Sequence, residues 1–174
     1  MRSLAVFAFC LLAAHASAWS VGEGIRCVSG TMGDAVERTL EDISSRVIKM
    51  SIHRDVIADK LSQEIAEIRK QFRENLEEEM EMQRSLAGDC TEGNIATRMA
   101  CRMKRGLGIV SGAAGVARNS LMEAVRALRD HEQDFDGKCA QEMGDIVSSL
   151  SREVPRVLQA SWKCFTESSE DVDQ

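Results

Sequence analysis

The feature that most constrains the fold is a long stretch, Asp34 to Ala87, that contains neither glycine nor proline. Apolar residues recur along it every three or four positions: Val36, Leu40, Ile43, Val47, Met50, Ile57, Leu61, Ile65, Ile68, Phe72, Leu76 and Met80. This spacing predicts helix with one buried face. Asp34, with Glu37 three residues later, is a candidate N-cap, and Gly88 is a candidate C-terminal stop.

Whether residues 34–87 form one helix or two is left open by the pattern. An unbroken helix would be roughly 80 Å long, whereas a compact domain of this size has a radius of gyration of about 15 Å. The apolar phase nevertheless continues across residues 51–55, where Arg54 is the one polar defect. We therefore favour a continuous or gently bent helix over a break near Ser51.

The rest of the chain also uses helix-forming residues, with no tyrosine and a single proline. Residues 19–33 are predicted to be irregular, 94–104 to form a short helix, 105–116 a glycine-rich interruption and 117–134 another helix. A last helix over 138–165 contains Pro155, which should kink it. Residues 166–174 are predicted to be an acidic, disordered tail. The fold class is all-α: residues 19–165 form a single domain, an elongated antiparallel helical bundle stapled by about two disulfides.

The first 18 residues have the composition of a signal peptide. Arg2 precedes an apolar run, and Ala16-Ser17-Ala18 is a small-residue cleavage site, so the mature chain is expected to begin at Trp19. We expect a secreted, extracellular protein without stable membrane insertion, in a compartment where disulfides persist. Loss of Arg2 shifts the formal net charge from −6 to about −7, which argues against binding to nucleic acids or to anionic membranes.

Five cysteines remain in the mature chain, which allows at most two internal disulfides and one free thiol: Cys27, Cys90, Cys101, Cys139 and Cys164. A continuous first helix favours Cys27–Cys139 with Cys101–Cys164, and we prefer this pairing, in which Cys90 is free. A break near Ser51 would instead collect four cysteines at one end and leave Cys139 spare. The odd thiol is either buried or links two molecules in a disulfide-bonded dimer.

Two segments resemble ligand-binding loops. The turn from Glu132 to Gly137 resembles the start of a calcium-binding loop, but the twelfth position is Met143 instead of a bidentate glutamate, which favours a solvated turn. Gly108 and Gly112 lack the Lys-Ser/Thr of a phosphate-binding loop. Their spacing predicts close helix packing or a flexible break, with a membrane-inserting apolar hairpin as the alternative.

Four glutamates, Glu77, Glu78, Glu79 and Glu81, are predicted to form an acidic ridge near the end of the first long helix. Negative charge at a helix C-terminus opposes the helix dipole, which is mild evidence for a basic partner against the default of a solvated face. The mature chain is also rich in methionine, which fills irregular cores or lines adaptable grooves.

Signatures of catalysis or of bound cofactors are weak. The mature chain has two histidines, His53 and His131, and no zinc-ligand spacing or nucleophile motif. We therefore expect a protein that is not an enzyme, with no cofactor and no metal.

The size, export signal and cysteine count are similar to those of small disulfide-stapled helical proteins secreted in arthropod saliva or reproductive fluid. That resemblance implies a host-modulating or reproductive role. We predict a non-enzymatic interaction protein that binds another extracellular protein through an exposed helix face and the acidic ridge. The alternatives are a carrier of a small hydrophobic ligand in a Met-lined helical cavity and a lipid-surface protein built from amphipathic helices.

Overall fold

Four long helices make up the described part of the chain. The structure, a computed structural model, describes residues 21–50, 55–86, 90, 92–131 and 137–166. The helices are α1 (Val21–Met50), α2 (Asp55–Leu86), α3 (Ile95–Asp130) and α4 (Gly137–Thr166). No strand occurs among these residues. The predicted signal peptide, and the tail from residue 167, lie outside the described residues.

The helices pack as an antiparallel bundle. α1 contacts each of the other three helices, and α3 contacts α2 and α4. Contacts between α1 and α2 have the pairing order of an antiparallel hairpin. Ser44 hydrogen-bonds Ser62 (3.2 Å) near the connection between the helices, and Glu37 pairs with Arg73 farther from it. The chain therefore reverses between Met50 and Asp55, and the expectation of one continuous helix over residues 34–87 is wrong.

One apolar cluster fills the centre of the bundle. α1 contributes Ile25, Val28, Met32, Val36, Leu40, Ile43 and Val47, all at spacings of three or four residues. Among the described residues, Phe72 is the largest fully buried side chain, and the rest of their core is aliphatic, methionine or the disulfide-bonded Cys164. This stripe begins at Ile25, so residues 21–33 are helical and not irregular as predicted, and Asp34 lies inside α1 instead of capping it.

Two glycine-containing segments that were predicted to be non-helical are helical in the structure. α1 contains several glycines before Asp34, each costing about 1 kcal/mol against alanine in a helix, yet burial of Ile25, Val28 and Met32 outweighs that cost. The segment 105–116 is likewise helical in the middle of α3, with Ile109 and Ala113 in the core. The predicted interruption is therefore wrong. Close helix packing at Gly112 is confirmed, because a Cβ there would lie 2.7 Å from Glu79 Cδ on α2.

The last helix matches its predicted bounds closely. α4 starts at Gly137, which has a positive φ of 55° that favours glycine. It continues through Pro155 to Thr166, so Thr166 belongs to the helix and not to the tail. The candidate calcium loop falls largely on residues 132–136, which lie outside the described residues, as does His53.

Candidate interaction surface

Both disulfides lie at the same end of the bundle. Cys27 bonds Cys164 with Cα atoms 5.8 Å apart, and Cys90 bonds Cys101 with Cα atoms 5.7 Å apart. In an antiparallel bundle this end contains the start of α1, the end of α2, the start of α3 and the end of α4. We call it the disulfide end.

The preferred pairing from the sequence, Cys27–Cys139 with Cys101–Cys164, is wrong. Cys139 is the free, half-buried cysteine, and Cys90 is bonded. The physical reason is the reversal between α1 and α2, which brings the end of α2 beside the start of α1. Cys139 lies near the start of α4, roughly 37 Å along the helix from Cys164, so it is at the opposite end of the bundle.

The start of α3 projects beyond the end of α2. A Cβ at Gly108 would lie 3.3 Å from the side chain of Gln83, which places Leu86 opposite about Arg105. None of residues 94–105 is buried, and Gly106 is the first buried residue of the helix. The Asn94 side chain caps this projecting part by accepting a hydrogen bond from the Thr97 backbone N–H at 2.9 Å, and the Cys90–Cys101 disulfide ties the preceding segment to it.

Large apolar side chains are exposed on the disulfide end. Of the seven large apolar residues that are highly exposed within the described part of the chain, five lie here, with exposed fractions from 46% to 69%: Met82, Leu86, Ile95, Met103 and Leu107. Single exposed apolar residues are ordinary on protein surfaces, whereas a concentration of them at one place is typical of interaction surfaces. The other two, Ile48 and Met122, lie elsewhere on α1 and α3.

On α3 these residues form a regular stripe. Ile95, Met99, Met103 and Leu107 are spaced four residues apart, so they follow one side of the projecting helix. The sequence places Ile95, Met99 and Met103 on one face of the predicted helix over 94–104, but the spacing does not show what covers that face. α2 ends level with about Arg105 and therefore stops too early to cover Ile95, Met99 and Met103. Leu107 lies level with α2 but is still 51% exposed.

Charges of opposite sign flank the apolar residues. Arg98, Arg102, Lys104 and Arg105 lie in the projecting part of α3, and no acidic residue occurs from Gly93 to Met122. This basic segment was not among the predicted sites, although the run of basic residues is visible in the sequence.

The predicted acidic ridge lies on the last turns of α2. Glu77, Glu78 and Glu81 are exposed there. Glu79 differs, because it is half-buried, accepts a hydrogen bond from Gln83 Nε2 at 2.8 Å and lies against Gly112. Three glutamates therefore remain available to a partner, and the fourth packs between α2 and α3.

The methionines of the described helices divide between the core and the surface. Met32, Met80 and Met143 are buried in the core, while Met82, Met103 and Met122 are exposed. A groove of about 840 Å³ lies between α1 and α2, and no methionine is among the residues that line it. Its cations face acidic neighbours: Arg69 lies 3.6 Å from Glu37 and 3.7 Å from Glu41.

Two contacts between ionisable side chains join different helices of the bundle: Glu37 with Arg73, and His131 with Glu64. Arg73 holds Glu37 through a bidentate contact, including Nη2 to Oε2 at 2.7 Å. This hydrogen bond, together with the charges of Arg73 and Arg69, lowers the pKa of Glu37 despite partial desolvation. His131 lies 3.5 Å from Glu64, at the end opposite the disulfides. Within the described ranges, no cluster of three or more histidine, cysteine or acidic side chains could hold a metal.

No described helix combines the length and apolar character needed to cross a membrane. Comparison with known proteins gives no family model, no curated protein and no solved structure that matches this chain. The disulfide end is thus the candidate site on the strength of its own geometry.

Proposed function

We propose that this protein is a secreted, non-enzymatic interaction protein that binds another extracellular protein through its disulfide end. The observation that carries the proposal is the concentration of exposed apolar side chains on the projecting start of α3 and the adjacent end of α2. Removing such side chains from water is the main source of free energy in protein association. Two disulfides next to this surface hold it in one geometry before binding, which reduces the entropy lost on association.

The flanking charges support a protein partner over a small ligand. Glu77, Glu78 and Glu81 offer negative charge on α2, and the basic residues offer positive charge on α3. A surface with an apolar centre and charges at its rim is typical of protein interfaces, where the apolar part gives affinity and the charges give orientation. Met32, Met80 and Met143 pack within the core cluster, and the groove between α1 and α2 has no methionine among its lining residues, so the surface supports this proposal better than it supports a carrier.

The test compares two variants of the immobilised protein in capturing partners from extracellular fluid. The first combines Ile95→Ser, Met103→Ser and Leu107→Ser. The control is Met122→Ser, which removes an exposed apolar side chain (42% exposed) from the same helix far from the disulfide end. Circular dichroism confirms that both variants remain folded.

We expect a specific protein to be retained by the wild type and the control and lost by the triple variant. If each truncated contact contributes about 1 kcal/mol or more, affinity falls at least about 100-fold. Equal retention by the triple variant would refute the proposed surface. Binding to anionic phospholipid vesicles, with no protein retained, would replace the proposal with the lipid-surface alternative.

A further inference from the structure

Four residues at the base of the projecting part of α3 have the pattern of a proteolytic processing site. The run Arg102-Met103-Lys104-Arg105 has basic side chains at its first, third and fourth positions. Subtilisin-like endoproteases with acidic subsites cut after such runs, because carboxylates of the protease pair with the basic side chains of the substrate. The other pair of adjacent basic residues in the chain, Arg69-Lys70, has Glu67 at the corresponding first position. The complete pattern therefore occurs once.

The charge of the surrounding sequence also favours an acidic enzyme. No acidic residue occurs from Gly93 to Met122, so the sequence around the run does not repel carboxylate-lined subsites. Lys104 is exposed, whereas Arg102 and Arg105 are half-buried. Arg102 has an interaction in the folded chain, and that interaction is released when the helix opens for the protease.

The basic run ends where α3 becomes covered by the bundle. None of residues 94–105 is buried, and the first buried residue of the helix is Gly106. A protease binds its substrate as an extended strand, so α3 must unwind from its start to about Leu107. This unwinding releases few packed contacts, since Leu107 is 51% exposed and the continuous core begins at Ile109. Gly106 and Gly108 also lower the helical stability where the unwound part ends. Segments with few buried contacts open locally while the rest of the fold persists.

We propose that such a protease hydrolyses the peptide bond between Arg105 and Gly106 in the secretory pathway. The step consumes one water, and the carbon–nitrogen bond breaks as a carbon–oxygen bond forms. The water oxygen bonds the Arg105 carbonyl carbon, which becomes a carboxylate. Both water protons pass to the Gly106 nitrogen, which becomes an ammonium. The cleavage rests on the proposed function only in the expectation that the chain is secreted.

The two products remain one molecule. Cys27 lies in the chain that ends at Arg105, and Cys164 lies in the chain that begins at Gly106, so their disulfide joins the two chains. The Cys90–Cys101 bond lies wholly within the first chain. Because every buried residue of α3 follows the cut, α3 keeps its whole contribution to the core.

Cleavage changes the candidate interaction surface, a consequence that rests on the proposed function. The apolar stripe is divided, with Leu107 on one chain and the residues from Ile95 to Met103 on the other. The stretch before the cut is too short to remain helical on its own in water, so the stripe loses its regular spacing. The single chain therefore binds the partner, and the two-chain form does not.

Digestion of the folded, disulfide-intact protein by a purified endoprotease of this specificity tests the proposal. On gels we expect one band without reductant and two bands after reduction, with the amino terminus of one product at Gly106. Arg69-Lys70, between the buried residues Ile68 and Phe72 of α2, is an internal control and should stay uncut.

Matched variants assign the cut to the basic run, and circular dichroism verifies that each remains folded. Arg102→Ala removes one charged subsite contact and should slow cleavage at least about tenfold. Arg98→Ala makes the same substitution in the same exposed segment but outside the run, so its cleavage rate should equal that of the wild type. Asn94→Ala removes the cap of α3 and increases the population of the unwound start, so cleavage should be about fivefold faster.

Four results would overturn the proposal. A chain that stays full-length after reduction, while a peptide substrate of the protease is cut, shows that the bond is protected. Cutting at Arg69-Lys70 as well assigns the cleavage to global unfolding. Equal rates for Arg102→Ala and Arg98→Ala show that the protease does not recognise the run, and an unchanged rate for Asn94→Ala removes local opening as the route. None of these measurements needs an extracellular partner, so failure of the cleavage does not affect the proposed binding, and the reverse also holds.

Discussion

Removal of the Cys27–Cys164 disulfide should destabilise the bundle far more than removal of Cys90–Cys101. The first bond joins residues 137 apart in sequence and the second joins residues 11 apart. In the chain-entropy model a cross-link restricts the unfolded chain more as the closed loop lengthens, which gives about 5 kcal/mol for the first bond and about 3 kcal/mol for the second. The longer loop spans nearly the whole described bundle, whereas the shorter one holds only the connection before α3.

The variants are Cys27→Ala with Cys164→Ala, and Cys90→Ala with Cys101→Ala. Alanine avoids burying a new hydroxyl at position 164, where the side chain is 3% exposed. Urea unfolding followed by circular dichroism measures the free energy of unfolding of each variant. Cys139→Ala is the control, because this half-buried cysteine closes no loop, and its effect should be small. Equal losses for the two pairs, or a larger loss for Cys90–Cys101, would refute the reasoning.

Three further changes test local contacts. Gly112→Ala should change stability little in the wild type, because the new Cβ would lie 2.7 Å from Glu79 Cδ and displace it; in a Glu79→Ala background the same change should stabilise by about 1 kcal/mol, as a double-mutant cycle would show. Asn94→Ala removes the cap of α3 and should cost about 1 kcal/mol, with faster amide hydrogen exchange confined to the first turns of α3; unchanged exchange there would contradict the capping role. Because its pKa is lowered in the folded protein, Glu37 should stabilise the fold above its unfolded pKa and lose that contribution as pH falls through the folded pKa; Arg73→Met should therefore flatten the acid limb of stability against pH, and an unaltered limb would dismiss this pair.

The sequence was sufficient for the helical class and for most of the core. Ten of the twelve residues in the three-and-four spacing from Val36 to Met80 are buried in the structure, and Ile57 is partly buried; the side chain of Met50 lies outside the described set. The same spacing could not reveal the reversal between α1 and α2, because two helices that share one core keep the same apolar pattern on either side of a turn. The roughly 80 Å length of an unbroken helix correctly indicated a break, whereas the apolar spacing that continues across residues 51–55 favoured continuity.

The pairing of the cysteines depends on whether residues 34–87 form one helix or two. Once α1 and α2 form a hairpin, Cys27 and Cys164 meet at one end and Cys139 lies at the other. The alternative with a break near Ser51 contained this arrangement, so the error in pairing is an error in topology.

The candidate surface was only partly predictable. Three of the four glutamates of the acidic ridge are exposed, whereas the Glu79 side chain packs against Gly112 between α2 and α3. The exposure of the stripe from Ile95 to Leu107 could not be predicted, because periodicity shows that a helix has an apolar face and not what covers that face. Only the packed lengths of α2 and α3 show that this side is uncovered.

Peptide mapping of the non-reduced protein by mass spectrometry tests the central claim most directly, namely that the bundle brings both disulfides to one end beside the exposed apolar surface. After alkylation and digestion, we predict linked peptides containing Cys27 with Cys164 and Cys90 with Cys101, and an alkylated Cys139. Linked peptides joining Cys27 to Cys139, or Cys101 to Cys164, would contradict the topology and the surface built on it.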